Sequence, residues 1–173
     1  LVPNRDYTFV AWADQVDATT KKNNYFDVTN LKNVQILNWK AMDECRDAYT
    51  ATKLVEDFNS SMGITLTLTR PFAKLRVVIT DMAQLNDLGI MPTKATVTYT
   101  TKHYNAFDAF AGKVIGASKN RDIKHENFDI KAYGDNVDDE SKVLFTDYFF
   151  ATSEEEVVNF AFDVYDQDNE LIK

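Results

Sequence analysis

Cysteine, glycine and histidine are scarce in this chain of 173 residues, and each scarcity excludes a class of protein. The one cysteine, Cys45, cannot form an internal disulfide, so the fold must depend on packing. The five glycines are scattered and form no glycine-rich loop around a phosphate group. The two histidines, His103 and His125, have no cysteine or histidine neighbour at a metal-ligand spacing. The composition therefore predicts no disulfide scaffold, no nucleotide loop and no metal site.

Positive charge is also in short supply. The chain has 19 lysines and arginines against 27 acidic residues, for a net charge of −8. Binding to nucleic acid or to anionic lipid needs clustered basic residues, so neither is expected here. No apolar run approaches the roughly 18–20 residues that a membrane-spanning helix requires. We expect a polar surface, no nucleic-acid partner and no membrane span.

Alternating apolar residues are what the chain has in abundance. Many strands without crossover helices are typical of antiparallel sheets packed on one another, and we expect one all-β sandwich domain. Helical patterns are few: residues 81–89 predict a short helix between an Asp81 N-cap and a Gly89 stop, and 42–48 suffice for one turn. The two-residue period predicts strands over 7–13, 34–37, 49–55, 64–69, 72–80, 94–101, 143–151 and 157–166.

A charged Arg-Pro pair interrupts the strongest of these strand patterns. Pro71 cannot donate to a sheet ladder, so it must lie at an edge, a bulge or a junction between strands. The buried parity also changes there, from even-numbered leucines before Pro71 to odd-numbered residues from Ala73 onward. We predict a strand junction at which one long segment serves two sheets, with the charged ends of Arg70 and Lys74 in solvent.

No constellation of side chains amounts to an active site. No serine, histidine and acid arrangement, carboxylate pair or metal set can be identified, so we predict a protein that is not an enzyme and has no cofactor. Residues 166–170 are acidic but lack the glycine and the distant glutamate of a calcium loop, and we interpret them as a hairpin turn. Trp12 lies in an apolar strand and is predicted to be a core residue. Trp39 and Tyr104 lie in polar segments and are the candidates for an exposed ligand contact.

Six segments, taken in order, resemble one protein family. They are 7–14, 45–55, 67–82, 91–99, 104–114 and 157–173, and they resemble the fimbrillin-like (Mfa-like) lipoproteins of Bacteroidetes, which are related to type V pilus subunits. The most specific element is an Arg-x-x-Ala-Lys pattern, here Arg70, Ala73 and Lys74. The resemblance covers most of the chain.

The resemblance implies a transthyretin-like β-sandwich over residues 1–173, with strands of the family's pattern missing at both ends. It implies export as a lipoprotein with a lipid anchor on the precursor, and display at the outer cell surface. The lipidated cysteine of the family has no counterpart here, because Cys45 is interior and does not match it.

The function that the resemblance implies is that of a structural or adhesive fimbrial subunit. Related pilins polymerise when an extended segment of one subunit completes the sheet of another, so the implied partners are other fimbrial subunits or further copies of this chain. We expect Val158, Phe160 and Phe162, which share one face, to line the groove for such a strand. The alternative is a monomeric sandwich that binds a carbohydrate or a host ligand through Trp39 and Tyr104.

Overall fold

The computed structural model describes residues 1–38, 40, 42–100, 104–116, 124–129, 142–151 and 158–172, with backbone alone for residues 124–129 and 142. Trp39 lies outside the described residues. The polar segments 117–122 and 134–142 are predicted to be loops; all of the first and residues 134–141 of the second also lie outside them, whereas Lys142 begins a strand.

Within this part of the chain the elements are strands, one 3₁₀ turn and one short helix. The turn is Glu44–Arg46, and the helix, α1, is Met82–Asp87. The strands are β1 (Arg5–Asp14), β2 (Phe26–Asp27), β3 (Val34–Ile36), β4 (Ala48–Phe58), β5 (Phe72–Ile79), β6 (Lys94–Tyr99), β7 (Ala106–Asp108), β8 (Lys113–Ile115), β9 (Lys124–Asp129), β10 (Lys142–Phe150) and β11 (Phe160–Tyr165).

All the strand pairs are antiparallel. β1 pairs with β4, β5 pairs with β10, β6 lies between β9 and β11, and the order β2-β3-β7-β8 forms a fourth sheet. The predicted all-β fold with antiparallel sheets and one or two short helical turns is confirmed.

One hydrophobic core lies between the β5-β10 pair and the sheet that contains β6 and β11. Strand β6 contributes Ala95, Val97 and Tyr99, all buried, and β10 contributes Phe145. Leu75 and Val77 of β5 pack against them from the facing sheet. The alternation predicted for β5 and β6 therefore places their odd-numbered side chains inside a two-layer sandwich, which we call the sandwich core.

A second core, rich in aromatic rings, is formed by the other two sheets together with one end of the β5-β10 pair. Phe26, Phe107 and Phe150 are buried there, and Trp12 packs edge-on to Phe26 with ring centroids 5.5 Å apart. The Phe72 and Phe150 rings stack at 4.7 Å, and these two residues are also cross-strand partners in the β5-β10 pair. Trp12 thus packs against the core, as its strand context predicts. We call this cluster the aromatic core.

The prediction of a strand over residues 64–69 is wrong. Only Thr69 pairs, through an isolated bridge to Thr50 of β4, and Leu68 remains largely exposed. Alternating leucines and threonines favour an extended backbone, but a strand also needs a neighbour along its length. Here the pairing with β4 is a single bridge.

The chain does pass from one sheet to another at Pro71. Thr69 exchanges backbone hydrogen bonds with Thr50 of β4, whereas Phe72 begins the pairing with β10. Buried Pro71 stands between the two pairings, and its carbonyl accepts a hydrogen bond from Ala151 N at 3.2 Å. The transfer takes place across Arg70 and Pro71 rather than at a bulge within a continuous strand.

The C-terminal end of α1 agrees with the sequence pattern, whereas the predicted N-cap does not form. Gly89 has a φ of +73°, a left-handed conformation that glycine adopts without strain, and the helix stops just before it. Asp81 precedes the helix, but its side chain makes no capping hydrogen bond. In the 3₁₀ turn, by contrast, the Asp43 side chain accepts from Cys45 N at 3.2 Å.

Candidate functional site

An apolar groove runs between β5 and β11 at the border of the sandwich core. Its cavity has a volume of about 680 Å³. Because β5 and β11 belong to different sheets, the groove lies where two layers meet. Its floor and walls include Val77, Ile79, Leu85, Leu144, Phe162 and Val164.

The side of the β11 backbone that points away from β6 faces this border. Thr100 N donates to Asn159 O at 3.0 Å and Thr93 N donates to Tyr165 O at 3.0 Å, so odd-numbered peptide groups point toward β6. Peptide groups alternate in direction along a strand, so those of Phe160, Phe162 and Val164 point outward. Among the described residues, none pairs with the outward groups of Phe160 and Phe162.

The opposite border, β5, has the same property. Pro71 O accepts from Ala151 N, so odd-numbered peptide groups of β5 face β10. The peptide groups of Lys74, Arg76 and Val78 therefore point away from the ladder, and Val78 also exposes 41% of its surface. Two strand edges thus flank one apolar groove.

The chain itself occupies one end of the groove. After the turn that follows β11, Leu171 bridges to Tyr165, and Ile172 N donates to Val164 O at 2.8 Å. The side chain of Ile172 lies among the groove residues. The arrangement shows how an extended segment sits along β11: one backbone hydrogen bond to the outward carbonyl and one apolar side chain in the groove.

The turn itself is the hairpin predicted for residues 166–170. Asp166 N donates to Glu170 O at 3.0 Å, and Asp166 Oδ1 accepts from Asp168 N at 2.9 Å and from Glu170 N at 2.8 Å. This carboxylate is engaged by backbone amides, as in an ordinary turn.

The three residues predicted to line a donor-strand groove have different positions. Phe162 lines the groove and packs against both buried clusters of the sandwich core, the one that contains Ala95 and the one that contains Val97. Val158 packs against the core near Tyr99. Phe160 is 37% exposed, with its ring centroid 6.1 Å from that of Tyr99.

The two charged residues of the Arg-x-x-Ala-Lys pattern form ion pairs, which their sequence positions alone do not reveal. Arg70 binds Asp47 with two nitrogens, Nε to Oδ1 at 2.8 Å and Nη2 to Oδ2 at 2.7 Å, and Nη2 also donates to the Tyr49 hydroxyl at 2.8 Å. The guanidinium lies over the Tyr49 ring, 5.1 Å from its centroid. Arg70 is exposed, as predicted, but it is anchored to the start of β4.

Lys74 makes a second pair beside the first. Its Nζ lies 2.5 Å from Glu44 Oε2, and the Tyr148 hydroxyl donates to the same oxygen at 2.7 Å. Burial alone would raise the pKa of Glu44, but the hydrogen bonds from Lys74 and Tyr148 outweigh it, and the pKa lies below its ordinary value. The hydrogen bond from Arg70 likewise lowers the pKa of Asp47.

The remaining two residues of the junction have packing roles. Pro71 is buried, and Ala73 is half-buried opposite Phe149 in the β5-β10 pair. Together the four residues fasten the 3₁₀ turn and the start of β4 to the start of β5. The junction is a structural clamp, since each charged group in it already has a partner.

Comparison with known proteins places the chain in a family. A family model matches residues 1–173, which is the whole chain. The chain belongs to the DUF6562 family, a family of unknown function. No curated protein and no solved structure matches it.

Of the two predicted ligand contacts of the DUF6562 chain, the structure describes one. Trp39 lies outside the described residues. Tyr104 is half-buried, bridges to Phe150 and packs against the aromatic core.

The described residues contain neither a cluster suited to a metal ion nor a helix suited to crossing a membrane. No group of three or more histidine, cysteine or acidic side chains is placed to hold a metal ion. In the same part of the DUF6562 chain, no helix combines the length and apolarity that crossing a membrane would need.

Buried Arg46 is a structural residue that the sequence did not single out. Its Nη1 donates to Leu37 O at 2.9 Å, its Nη2 donates to Asn38 O, and its Nε lies 3.3 Å from Asp43 Oδ2. Burial lowers its pKa, and the charge of Asp43 opposes that shift. Only the three-dimensional structure shows this role, because the carbonyls that Arg46 holds lie eight and nine residues away in the chain.

Proposed function

We propose that the DUF6562 chain is a non-enzymatic subunit of a cell-surface fimbria that joins its neighbour by strand addition. The observation that carries the proposal is the apolar groove between β5 and β11, bordered by outward-facing peptide groups of both strands. The resemblance to fimbrillin-like lipoproteins supports the same function and adds surface display through a lipid anchor.

The groove suits an extended polypeptide better than a compact small molecule. A strand entering it can pair with the outward groups of Phe160 and Phe162, while every second side chain enters the apolar cavity. Burial of aliphatic surface at about 25 cal/mol per Å² would supply most of the free energy of binding, and the backbone hydrogen bonds would set direction and register.

The occupant that we propose is an extended segment of another subunit with apolar residues at alternate positions. The lining supports this choice, because the side chains that form the floor are aliphatic or aromatic. Asp81 is the charged residue of the described lining, so a segment with charges at several inward positions would bury most of them against apolar side chains, which is costly.

Two substitutions at one residue test the proposal. Proline at position 160 removes an outward N–H but no hydrogen bond to β6, whereas alanine at the same position removes the ring and keeps the N–H. We expect Phe160→Ala and wild type to form oligomers that survive mild detergent on unheated gels and give fibres by electron microscopy. We expect Phe160→Pro to remain monomeric with an unfolding midpoint close to that of Phe160→Ala.

Equal assembly by Phe160→Pro and Phe160→Ala would contradict strand addition at β11. Wild-type protein that stays monomeric at millimolar concentration, and that no fimbrial fraction captures, would contradict the subunit role itself. The runner-up, a monomeric carbohydrate- or host-ligand-binding module acting through Trp39 and Tyr104, stays a prediction from the sequence.

A further inference from the structure

A second cavity, separate from the groove, lies beside β1. Its volume is about 660 Å³, within the range of cavities that hold small ligands. Part of its wall is apolar, formed by Val10, Val28 and Leu31. Its described lining also includes Trp12, Asp14, Asn23 and Lys21, so it has more polar and charged residues than the groove, whose lining has Thr80 and Asp81.

The carboxylate and the indole are held in place by each other. Trp12 Nε1 donates to Asp14 Oδ2 at 2.9 Å, and Asn23 Nδ2 donates to the same oxygen. Asn23 Oδ1 in turn accepts from Tyr25 N at 3.0 Å and from Phe26 N at 2.8 Å, which fixes the amide. A carboxylate has about four acceptor positions, and these two bonds use only one of the oxygens of Asp14.

The ammonium group comes from a loop with a rigid turn. Asp17 Oδ1 accepts from Thr19 N at 3.0 Å and from Thr20 N at 2.6 Å, and Asp17 N donates to Lys22 O at 3.0 Å. Lys21 N donates back to Asp17 O at 2.9 Å, and Lys21 has a φ of +56°. This left-handed conformation is unusual for lysine and places the residue at the cavity. Among the described residues Lys21 makes no ion pair.

The backbone of β1 adds further hydrogen-bonding groups. Thr50 of β4 exchanges its hydrogen bonds with Thr69, on the side away from β1. Its cross-strand partner Trp12 therefore directs its own N–H and C=O away from β4, and Val10, two residues earlier, does the same. Both residues line the cavity.

We propose that this cavity binds a neutral saccharide. A sugar ring has an apolar face that suits the indole and the aliphatic wall, and hydroxyls that both donate and accept. Asp14 accepts from such hydroxyls, Lys21 donates to them, and the opposite charges of the two groups favour a ligand without net charge. A strand laid along β1 would instead cover both charged side chains and remove much of their hydration, which disfavours a peptide.

The test uses Trp12 as its reporter. The chain has two tryptophans, so a Trp39→Phe background leaves Trp12 alone. In that background we would titrate neutral mono- and disaccharides (glucose, galactose, mannose, N-acetylglucosamine and lactose) and follow the indole N–H signal by NMR, after a glycan-array screen of the wild type. We expect a saturable shift of the Trp12 signal for at least one saccharide.

Two variants and a matched control complete the experiment. Asp14→Asn keeps an oxygen acceptor for the Trp12 N–H, and Lys21→Gln keeps the length of the side chain. Each should weaken saccharide binding by about tenfold, the usual result of losing a hydrogen bond to a charged group. Lys22→Gln, one residue further and not in the cavity wall, should bind as the parent does.

Three results would overturn the proposal. One is the absence of any saccharide that shifts the Trp12 signal or binds on the array. Another is binding that Asp14→Asn and Lys21→Gln leave unchanged. The third is an extended peptide that shifts the amide signals of Val10 and Trp12 when no saccharide does, which would assign the cavity to strand addition. The groove and its Phe160 variants are unaffected by any of these outcomes.

Discussion

The aromatic core and the sandwich core are built from the same kind of alternating strands, yet one is closed and the other opens at a border. In the aromatic core, Phe150 is 1% exposed and stacks on both Phe72 and Phe107. In the sandwich core, Phe145 is as completely buried, but Phe160 at the edge of β11 exposes more than a third of its surface. Alternation decides which face is buried, and whether an edge is covered depends on what lies beside the outer strand.

The largest expected effect comes from truncating one ring in each core. Phe150→Ala should lower the free energy of unfolding by about 3–5 kcal/mol, because it leaves a cavity among stacked rings. Phe160→Ala should cost less, about 1 kcal/mol, because more than a third of the residue is already in water and the edge position leaves no closed cavity. Urea unfolding of both variants measures the difference, and similar losses would show that the two regions are closed equally well.

A buried hydrogen bond in the sandwich core gives the next largest effect. The Tyr99 hydroxyl donates to Asp147 Oδ2 at 2.7 Å, and burial, together with the charge of Asp147, raises the pKa of Tyr99. Tyr99→Phe should cost about 1.5–3 kcal/mol at pH 7, the range for hydrogen bonds to charged groups.

The same tyrosine makes the stability of the wild type depend on alkaline pH. Its pKa is higher in the folded than in the unfolded chain, so its contribution is complete below the ordinary value of about 10 and is lost as the pH rises above that value. The free energy of unfolding, measured with denaturant at several pH values between 8 and 11, should fall less steeply with pH for Tyr99→Phe than for the wild type. An equal pH dependence of the two proteins would show that Tyr99 does not cause the loss of stability at alkaline pH.

The junction clamp should give the smallest effect, since it lies at the surface between the two cores. Asp47→Asn removes the exposed ion pair between Asp47 and Arg70. At neutral pH it should lower the free energy of unfolding by less than about 1 kcal/mol. The pKa of Asp47 is lowered in the folded chain, so the pair contributes above the ordinary value of about 4 and is lost as the pH falls below it. The difference between variant and wild type should therefore disappear near pH 2. Asp87→Asn, on the exposed side of α1, is the control, and a pH-independent difference would argue against the ion pair.

The sequence could predict local structure where the pattern and the partner coincide. Residues 72–80 alternate cleanly and do form β5, because β10 runs alongside their whole length. Residues 64–69 alternate just as cleanly and form only one bridge. Side-chain patterns describe the faces of a strand, and they carry no information on the neighbour that supplies its hydrogen bonds.

The candidate sites depend still more on distant contacts. The partner of Arg70, Asp47, is 23 residues away in the chain, and nothing in either local pattern identifies the pair. The groove could not be located from Val158, Phe160 and Phe162 alone, since its other wall comes from β5 and one end is filled by Ile172. The apolar strand around Trp12 predicts a core residue, and its ring does pack against the aromatic core. Its indole N–H also donates to Asp14, and both residues line the cavity beside β1, which the strand pattern does not predict.

The pairing of β5 with β10 has a consequence for how the molecule comes apart. Near Phe72 and Phe150 this ladder belongs to the aromatic core, and near Val77 and Phe145 it belongs to the sandwich core. Neither cluster can lose its packing without disturbing the two strands that the other requires. We therefore expect the two cores to lose their packing in a single transition, because the strands that connect them are the same two.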